Sequence, residues 1–224
     1  MQYVYDGDTL ILKDGRKLRL IGIDAPEMAH ESNPAEPLAT AARDFVRQQL
    51  RSNSKIQLQY DNNQQDQYGR TLAHVFLANG ENLNAQLLKK GLAALYIWPP
   101  NTTYAHCYEQ AQRDAIQRQQ GLWQLPAYAA QPLSQPAAQQ KLPRRYRGTL
   151  KNVQRTRQGL DLLLIDGQDS LKLYIPQSAL VYFDLSSLDA MRDKALIVQG
   201  ITHCKPQKTQ CSLRLSHPSQ IQFD

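Results

Sequence analysis

The sequence has no apolar run approaching the roughly 20 residues that a helix needs to cross a bilayer. It does not open with the basic stretch and apolar core of a secretory leader either, because Met1 runs straight into Gln2-Tyr3-Val4-Tyr5. That opening already reads as a strand, so the expectation is a secreted or periplasmic protein whose leader has been removed. Cysteine is scarce: Cys107, Cys204 and Cys211 are the whole complement, and none forms a CxxC pair. This excludes a disulfide-dense scaffold and leaves no zinc motif. Acidic residues are missing from one stretch. Lys141, Arg144, Arg145, Arg147, Lys151, Arg155 and Arg157 follow one another with no Asp or Glu until Asp161.

That gap reflects a wider asymmetry. Residues 1–128 hold 13 Lys+Arg and 13 Asp+Glu, whereas residues 129–224 hold 13 Lys+Arg and 7 Asp, so the second part carries the whole net charge of +6. A basic surface attracts polyanions through phosphate pairing and counterion release. Between the two parts, PAYAAQPLSQPAAQQKLP at 126–143 is rich in Pro, Ala and Gln and has no apolar period. The division expected is a first domain over 1–128, a linker over 129–143, and a basic β-domain over 144–224.

The hydropathy pattern of the first part alternates as strands over 8–12 and 17–23, joined by Asp14-Gly15, a hairpin signal. A polar loop over 28–34 leads into an apolar repeat at helical spacing over 37–50. Strands at 55–60 and 70–77 and helices at 83–90 and 104–119 follow. Three strands, a helix, two strands and further helices is the order of an oligonucleotide-binding barrel with added helices. The second part repeats it: strands at 147–155, 160–165 and 171–175, a helix near 177–191, then strands at 195–203 and 212–215. The fold class expected is therefore mainly β with helices, a five-stranded barrel followed by a second, smaller one.

Four short pieces of the first part carry chemistry: Asp6-Gly7-Asp8-Thr9, Arg19 to Asp24, Ala25-Pro26-Glu27, and Asp66-Gln67-Tyr68-Gly69-Arg70. Asp8 and Asp24 fall at neighbouring strand ends and can share one hard cation. Oxygen ligands without His or Cys point to Ca²⁺ or a similar ion. Two carboxylates leave such a site open to water and phosphate. Arg19 and Arg70 offer planar donor forks for a phosphodiester. Glu27 could orient or deprotonate the attacking water. Each piece alone reads as an ordinary turn or surface strand; their order and spacing together are specific.

VYDGDTL, RLIGIDAPE, DQYGRTLAHVF, NLNAQLLKKGLA and GLW, spread over about residues 3–123, resemble the staphylococcal nuclease (thermonuclease) family. The resemblance implies that Asp8 and Asp24 bind Ca²⁺, with the Ala25 carbonyl as a third ligand. It implies that Arg19 and Arg70 contact the scissile phosphate and that Glu27 acts as general base. It implies hydrolysis of DNA and RNA that leaves 3′-phosphates. Tyr68 and Tyr96 match nucleotide-contacting positions, and Trp98 stands where a further tyrosine is usual; ordinary packing is the other reading of Tyr96 and Trp98. The alternative function is a binding module that kept the barrel and lost cleavage. His74 and His106 have no role in this scheme, and Cys107 is expected to be a packed thiol.

In the second part, Arg144, Arg145, Arg147, Lys151, Arg155 and Arg157 form a candidate nucleic-acid patch, with Tyr146 and Tyr174 able to stack on bases. Cys204 and Cys211 flank the loop 205–210 between two expected strands, where a hairpin would bring them within bridging distance, and a disulfide is expected. The substrate expected is DNA or RNA, with no membrane partner and a monomeric chain.

Overall fold

The computed structural model describes residues 3–31, 33–52, 55–134, 142–204 and 211–224. Part of the expected linker with Lys141, the loop between Cys204 and Cys211, and Ser32 of the polar loop lie outside the described residues. The chain divides into two compact units, Met1–Leu125 and Pro126–Asp224. Among the described residues, no helix is long and apolar enough to cross a membrane.

The first unit opens with strands β1 (Tyr3–Val4), β2 (Thr9–Ile11), β3 (Lys17–Leu20) and β4 (Ile23–Asp24), followed by helix α1 (Ala39–Ser52). Strands β5 (Ile56–Gln59) and β6 (Thr71–Leu77), helix α2 (Leu83–Lys89), strand β7 (Ala94–Leu95) and helix α3 (Ala105–Gln117) complete it. The main sheet runs β1-β2-β3-β6-β5, with β3 and β6 parallel and the other pairs antiparallel. Alternation puts Leu18 and Leu20 of β3 and Ala73 and Val75 of β6 into one core with Val46 of α1 and Leu83, Leu87 and Leu88 of α2. Each buried Leu contributes roughly 1.5–3 kcal/mol. Helix α1 begins at Ala39, two residues later than its apolar spacing predicts, because Leu38 takes a left-handed φ of 68°. The buried side of α3 is Ala105, Tyr108, Gln112 and Ala115, which turns Cys107 outward. Cys107 is thus a free, exposed thiol, and the expectation of a packed one is corrected.

Two buried amides tie the helices to the strands beneath the site. Asn84 accepts the Val75 N–H at 3.1 Å and donates to the Ile21 carbonyl at 2.8 Å. Gln112 accepts the Leu95 N–H at 2.7 Å. They fix the turn that carries β3 into β4, where Gly22 adopts a φ of 81° and lies so close to the Tyr108 ring that a Cβ would collide with it. That turn delivers Asp24 to its place, with β4 paired to β7.

The second unit contains strands β8 (Arg144–Thr156), β9 (Gly159–Asp166) and β10 (Asp169–Pro176), then a short 3₁₀ turn over Gln177–Tyr182 and helix α4 (Leu185–Ala190). Strands β11 (Ala195–Gly200), β12 (Thr202–Cys204), β13 (Cys211–Arg214) and β14 (Ile221–Phe223) follow. Their order is β12-β13-β10-β9-β8-β11-β14, with β10 and β13 parallel. Leu150, Leu162, Leu164, Leu171, Leu173, Ile175, Val198 and Leu213 fill its core.

Three features differ from the sequence reading. The single helix expected near 177–191 is split, because Asp184 accepts the Ser186 N–H at 3.0 Å as an N-cap and starts a new helix there. A seventh strand, β14, adds to the β11 edge. The Pro/Ala/Gln-rich stretch is not all connector. Tyr128 and Leu133 are buried, Gln131 donates its N–H to the Arg145 carbonyl at 2.9 Å, and its own carbonyl accepts the Arg147 N–H at 2.8 Å. Backbone pairing holds this stretch against β8 despite its composition.

Candidate active site

The loop from Asp6 to Thr9 is closed by the Asp6 carboxylate, which accepts the backbone N–H groups of Asp8 at 2.9 Å and Thr9 at 2.7 Å. Gly7 lies so close to Ala25 and Ala42 that a side chain there would collide with both. The turn therefore presses Asp8 against the end of β4. Asp8 Oδ2 accepts the Ala25 N–H at 2.6 Å and meets Arg19 Nη1 at 2.7 Å. Arg19 Nη2 donates to Asp24 Oδ1 at 2.6 Å, and Nη1 also donates to the Ile23 carbonyl at 3.0 Å. One guanidinium thus joins the two carboxylates that the sequence paired.

The electrostatics of this cluster are unbalanced. Burial, with repulsion from Asp8 and Glu27, pushes the Asp6 carboxyl up to about 7. Burial also raises Asp24, against the pull of Arg19, with Asp8 and Glu27 adding to the rise. Arg19 itself is held charged, because Asp8 and Asp24 outweigh the cost of burying it. Three buried or nearly buried carboxylates and the charge of Glu27 face a single guanidinium. A hard cation would supply the missing charge, and the donor set, carboxylate oxygen throughout, fits Ca²⁺. Among the described residues no three His, Cys, Asp or Glu side chains gather into a ready cage. The fit therefore rests on Asp8 and Asp24 with backbone and solvent oxygens.

Glu27 is exposed, just past Pro26. Its N–H donates to Glu36 Oε2 at 2.9 Å and its carbonyl accepts the Glu36 N–H at 2.9 Å, which holds the segment that carries it.

Arg70 is positioned by a second Asp-closed turn. Asp66 accepts the Tyr68 and Arg70 N–H groups at 2.9 Å each and Arg70 Nε at 2.6 Å. The Arg70 guanidinium lies 5.5 Å from the centre of the Tyr68 ring. Arg19, Arg70, Tyr68, Tyr96 and Trp98 all line one groove of about 440 Å³. Tyr68 is 75% exposed and Trp98 48% exposed, and the Tyr96 and Trp98 rings lie 6.0 Å apart. These rings face solvent along the groove, beyond what core packing alone requires.

Two residues in the cluster were not assigned roles from the sequence. Asp6 shapes the loop that bears Asp8, and Asp66 aims Arg70. Both stand at the first position of an Asp-x-Asp or Asp-x-x-Gly turn, and that turn chemistry was the available signal. His74 is buried, with Nδ1 2.7 Å from the Tyr108 hydroxyl and Nε2 3.5 Å from Asp61, and His106 is exposed on α3.

The residues of the expected basic patch have different surroundings. Arg144 covers the Tyr128 ring at 3.7 Å and donates to the Ala127 carbonyl. Arg145 is buried, Arg147 pairs with Asp224 at 2.8 Å, and Lys151 pairs with Asp193 at 2.7 Å. Arg155 and Arg157 lie exposed at the far end of β8. Alternation puts Arg144 on the opposite face from Arg145 and Arg147, and a bulge breaks the pairing between Leu150 and Asn152. Tyr146 is a core residue with its hydroxyl 3.3 Å from Thr202 Oγ1, so its expected role in stacking is corrected. Cys204 and Cys211 are joined by a disulfide.

A small β-sheet unit with added helices carries an arginine clasped by two carboxylates beside an aromatic groove. The chain belongs to the staphylococcal nuclease family. A family model described as staphylococcal nuclease homologue matches residues 17–125. Thermonuclease of Staphylococcus intermedius is 43% identical over 124 residues, which is 54% of this chain and 73% of that protein. Thermonuclease of Staphylococcus hyicus is 42% identical over 123 residues, 54% of this chain and 72% of that protein. Endonuclease YhcR of Bacillus subtilis is 34% identical over 131 residues, 54% of this chain but 11% of that protein. The family match ends at the boundary of the first unit, whose barrel is of the oligonucleotide-binding type.

Proposed function

We propose that the chain is a nuclease that hydrolyses the phosphodiester bonds of DNA and RNA with Ca²⁺. The observation that carries this is the Arg19 clasp: Asp8 and Asp24 lie within 2.7 Å of the Arg19 guanidinium, and Arg19 lines the groove that also holds Arg70. Membership of a family whose relatives include thermonucleases supports it. Asp8, Asp24 and the Ala25 carbonyl would hold the ion, which when bound supplies positive charge for the phosphate oxygens.

The chain's own residues do the rest. Arg19 and Arg70 bind the non-bridging oxygens and counter the charge that grows on them as water enters. Glu27 orients the water or takes its proton. A bond forms from the water oxygen to phosphorus in line with the departing 5′-oxygen, the P–O5′ bond breaks, and that oxygen ends protonated. The phosphate stays on the 3′ side. Tyr68, Tyr96 and Trp98 lie against bases or sugars.

The second unit is read as a further barrel of the oligonucleotide-binding type. In support, β8, β9 and β10 form a meander, β13 runs parallel beside β10, and only Ile201 separates β11, next to β8, from β12, next to β13. The disulfide suits a secreted or periplasmic setting.

The test is degradation of single-stranded DNA and RNA by the purified chain, with Ca²⁺ and with chelator, beside Glu27→Ala. Calcium-dependent cleavage that drops sharply in the variant supports the reading. Nucleic-acid binding without cleavage under any metal would replace it with the binding module.

A further inference from the structure

The second unit carries a site that the nuclease chemistry does not use. Along β10, Leu171, Leu173 and Ile175 point into the core, so Lys172 and Tyr174 point outward. Register sets Lys172 beside Ser212 of β13, and Ser212 in turn beside His203 of β12. On the other side, Tyr174 pairs with Asp161 of β9. The turn between β8 and β9 brings Arg157 to the same end. Its shape is set by Thr156 Oγ1, which donates to the Gly159 carbonyl at 3.3 Å, and by Gly159, whose φ of 143° no larger residue adopts easily. These side chains line an open groove of about 730 Å³ with the Cys204–Cys211 disulfide along one edge.

We propose that this groove binds single-stranded nucleic acid. Arg157 and Lys172 meet phosphates, and Tyr174 and His203 lie against bases. Three observations point to this occupant. First, the groove offers two cations against one acid, and that acid, Asp161, pairs with Lys172 at 2.8 Å, which holds the ammonium in place over the strands. Second, the part of the chain that contains it carries the whole net charge of +6. Third, aromatic rings sit among the cations, an arrangement that suits a polyanion bearing flat bases rather than a plain one. A base reaches a ring only when it is unstacked from its neighbours, so single strands are preferred over duplex. Tethered to a nuclease unit, such a groove raises the local concentration of strand.

The test reads binding without cleavage, so its outcome is separate from that of the nuclease proposal. The full chain is titrated in chelator against a fluorescently labelled 20-nucleotide DNA strand, the matching duplex, and heparin, over a range of salt. Tyr174→Ala should weaken strand binding about tenfold and leave heparin binding unchanged. Changing Arg157 and Lys172 together to Ala should lower the magnitude of the salt slope by about 1.4, from about 0.7 per phosphate contact. Lys194→Ala, outside the groove, serves as the charge-matched comparison and should shift affinity less than about twofold, as one remote charge does at moderate salt. Equal losses from Lys194→Ala and Lys172→Ala would show diffuse attraction and overturn the groove. So would heparin and strand weakening together with no effect of Tyr174→Ala, or an unchanged strand affinity in all groove variants.

Discussion

In the first unit Arg19, with 13% of its side chain exposed, sits 2.7 Å from Asp8 and 2.6 Å from Asp24. In the second, Arg147, 56% exposed, sits 2.8 Å from Asp224. The distances are nearly equal and the consequences differ. Around Arg19 burial disfavours the charged carboxylates, repulsion from Asp8 adds to it, and Asp6 and Asp24 both hold protons more tightly than an ordinary Asp. Around Arg147 solvent screens the pair, and its worth is roughly 0–1 kcal/mol. A site that must grip a phosphate in fixed geometry uses buried, over-determined charge. Contact distance alone does not tell the two apart; burial does.

The largest effect that would sharpen this contrast is in the first unit. Arg19→Lys or Arg70→Lys should lower turnover by about a hundredfold or more, because a point charge does not replace a planar fork. Steady-state kinetics on single-stranded DNA checks it, and near wild-type rates in both variants would remove their assigned role. Asp24→Ala should remove calcium-dependent cleavage altogether.

A second contrast concerns what holds each unit together. The Cys204–Cys211 bond closes a short loop in the second unit, and the first unit has none. Reduction should cost the second unit about 2–3 kcal/mol and leave the first unchanged. Trp98 and Trp123 both lie in the first unit, so tryptophan fluorescence follows that unit while circular dichroism follows both. A fluorescence transition that moves with reductant would contradict the separation.

The units should respond differently to acid. Burial holds the His217 ring below the usual histidine range, and burial does the same to His74 despite Asp61 nearby. Folded, each ring binds its proton less readily than when unfolded, where the value is near 6.5. The unfolded state therefore takes up more protons as pH falls below about 6.5, and stability present above that pH is lost beneath it. In the first unit the raised Asp6 and Asp24 carboxyls act the other way, because the folded state takes up their protons before the unfolded one does. Melting followed by both probes between pH 7 and pH 5 should therefore show the second unit weakening and the first not. His217→Gln should flatten the dependence in the second unit alone.

The smallest effect expected is that of Arg147→Ala, which should change stability by less than about 1 kcal/mol in chemical denaturation. A larger loss would mean that the surface pair is not screened as described.

The first unit was largely legible from sequence because its chemistry is local. Asp6 to Thr9, Arg19 to Glu27 and Asp66 to Arg70 are short turns and strand ends whose residues already lie in order along the chain. The less visible part was which carboxylates build loops: Asp6 and Asp66 accept backbone N–H groups, a role signalled only by their place at the start of Asp-x-Asp and Asp-x-x-Gly turns. In the second unit, strand existence followed from alternation, but facing did not. A bulge at Leu150 to Asn152 interrupts the strand that carries the basic run, and Tyr146 went inward with Leu150 while Tyr174 went outward between Leu173 and Ile175. Cys107 was misplaced because the phase of α3 is set by Tyr108, whose ring fills the space against Gly22.

The most direct test of the central claim is calcium titration of the chain by calorimetry, for wild type and for Asp8→Asn with Asp24→Asn, followed by cleavage of single-stranded DNA and RNA in the same samples. The account predicts that wild type binds the ion and cleaves, and that the double variant does neither while still binding strand in chelator. Cleavage that persists in the double variant, or that proceeds unchanged with chelator, would contradict it.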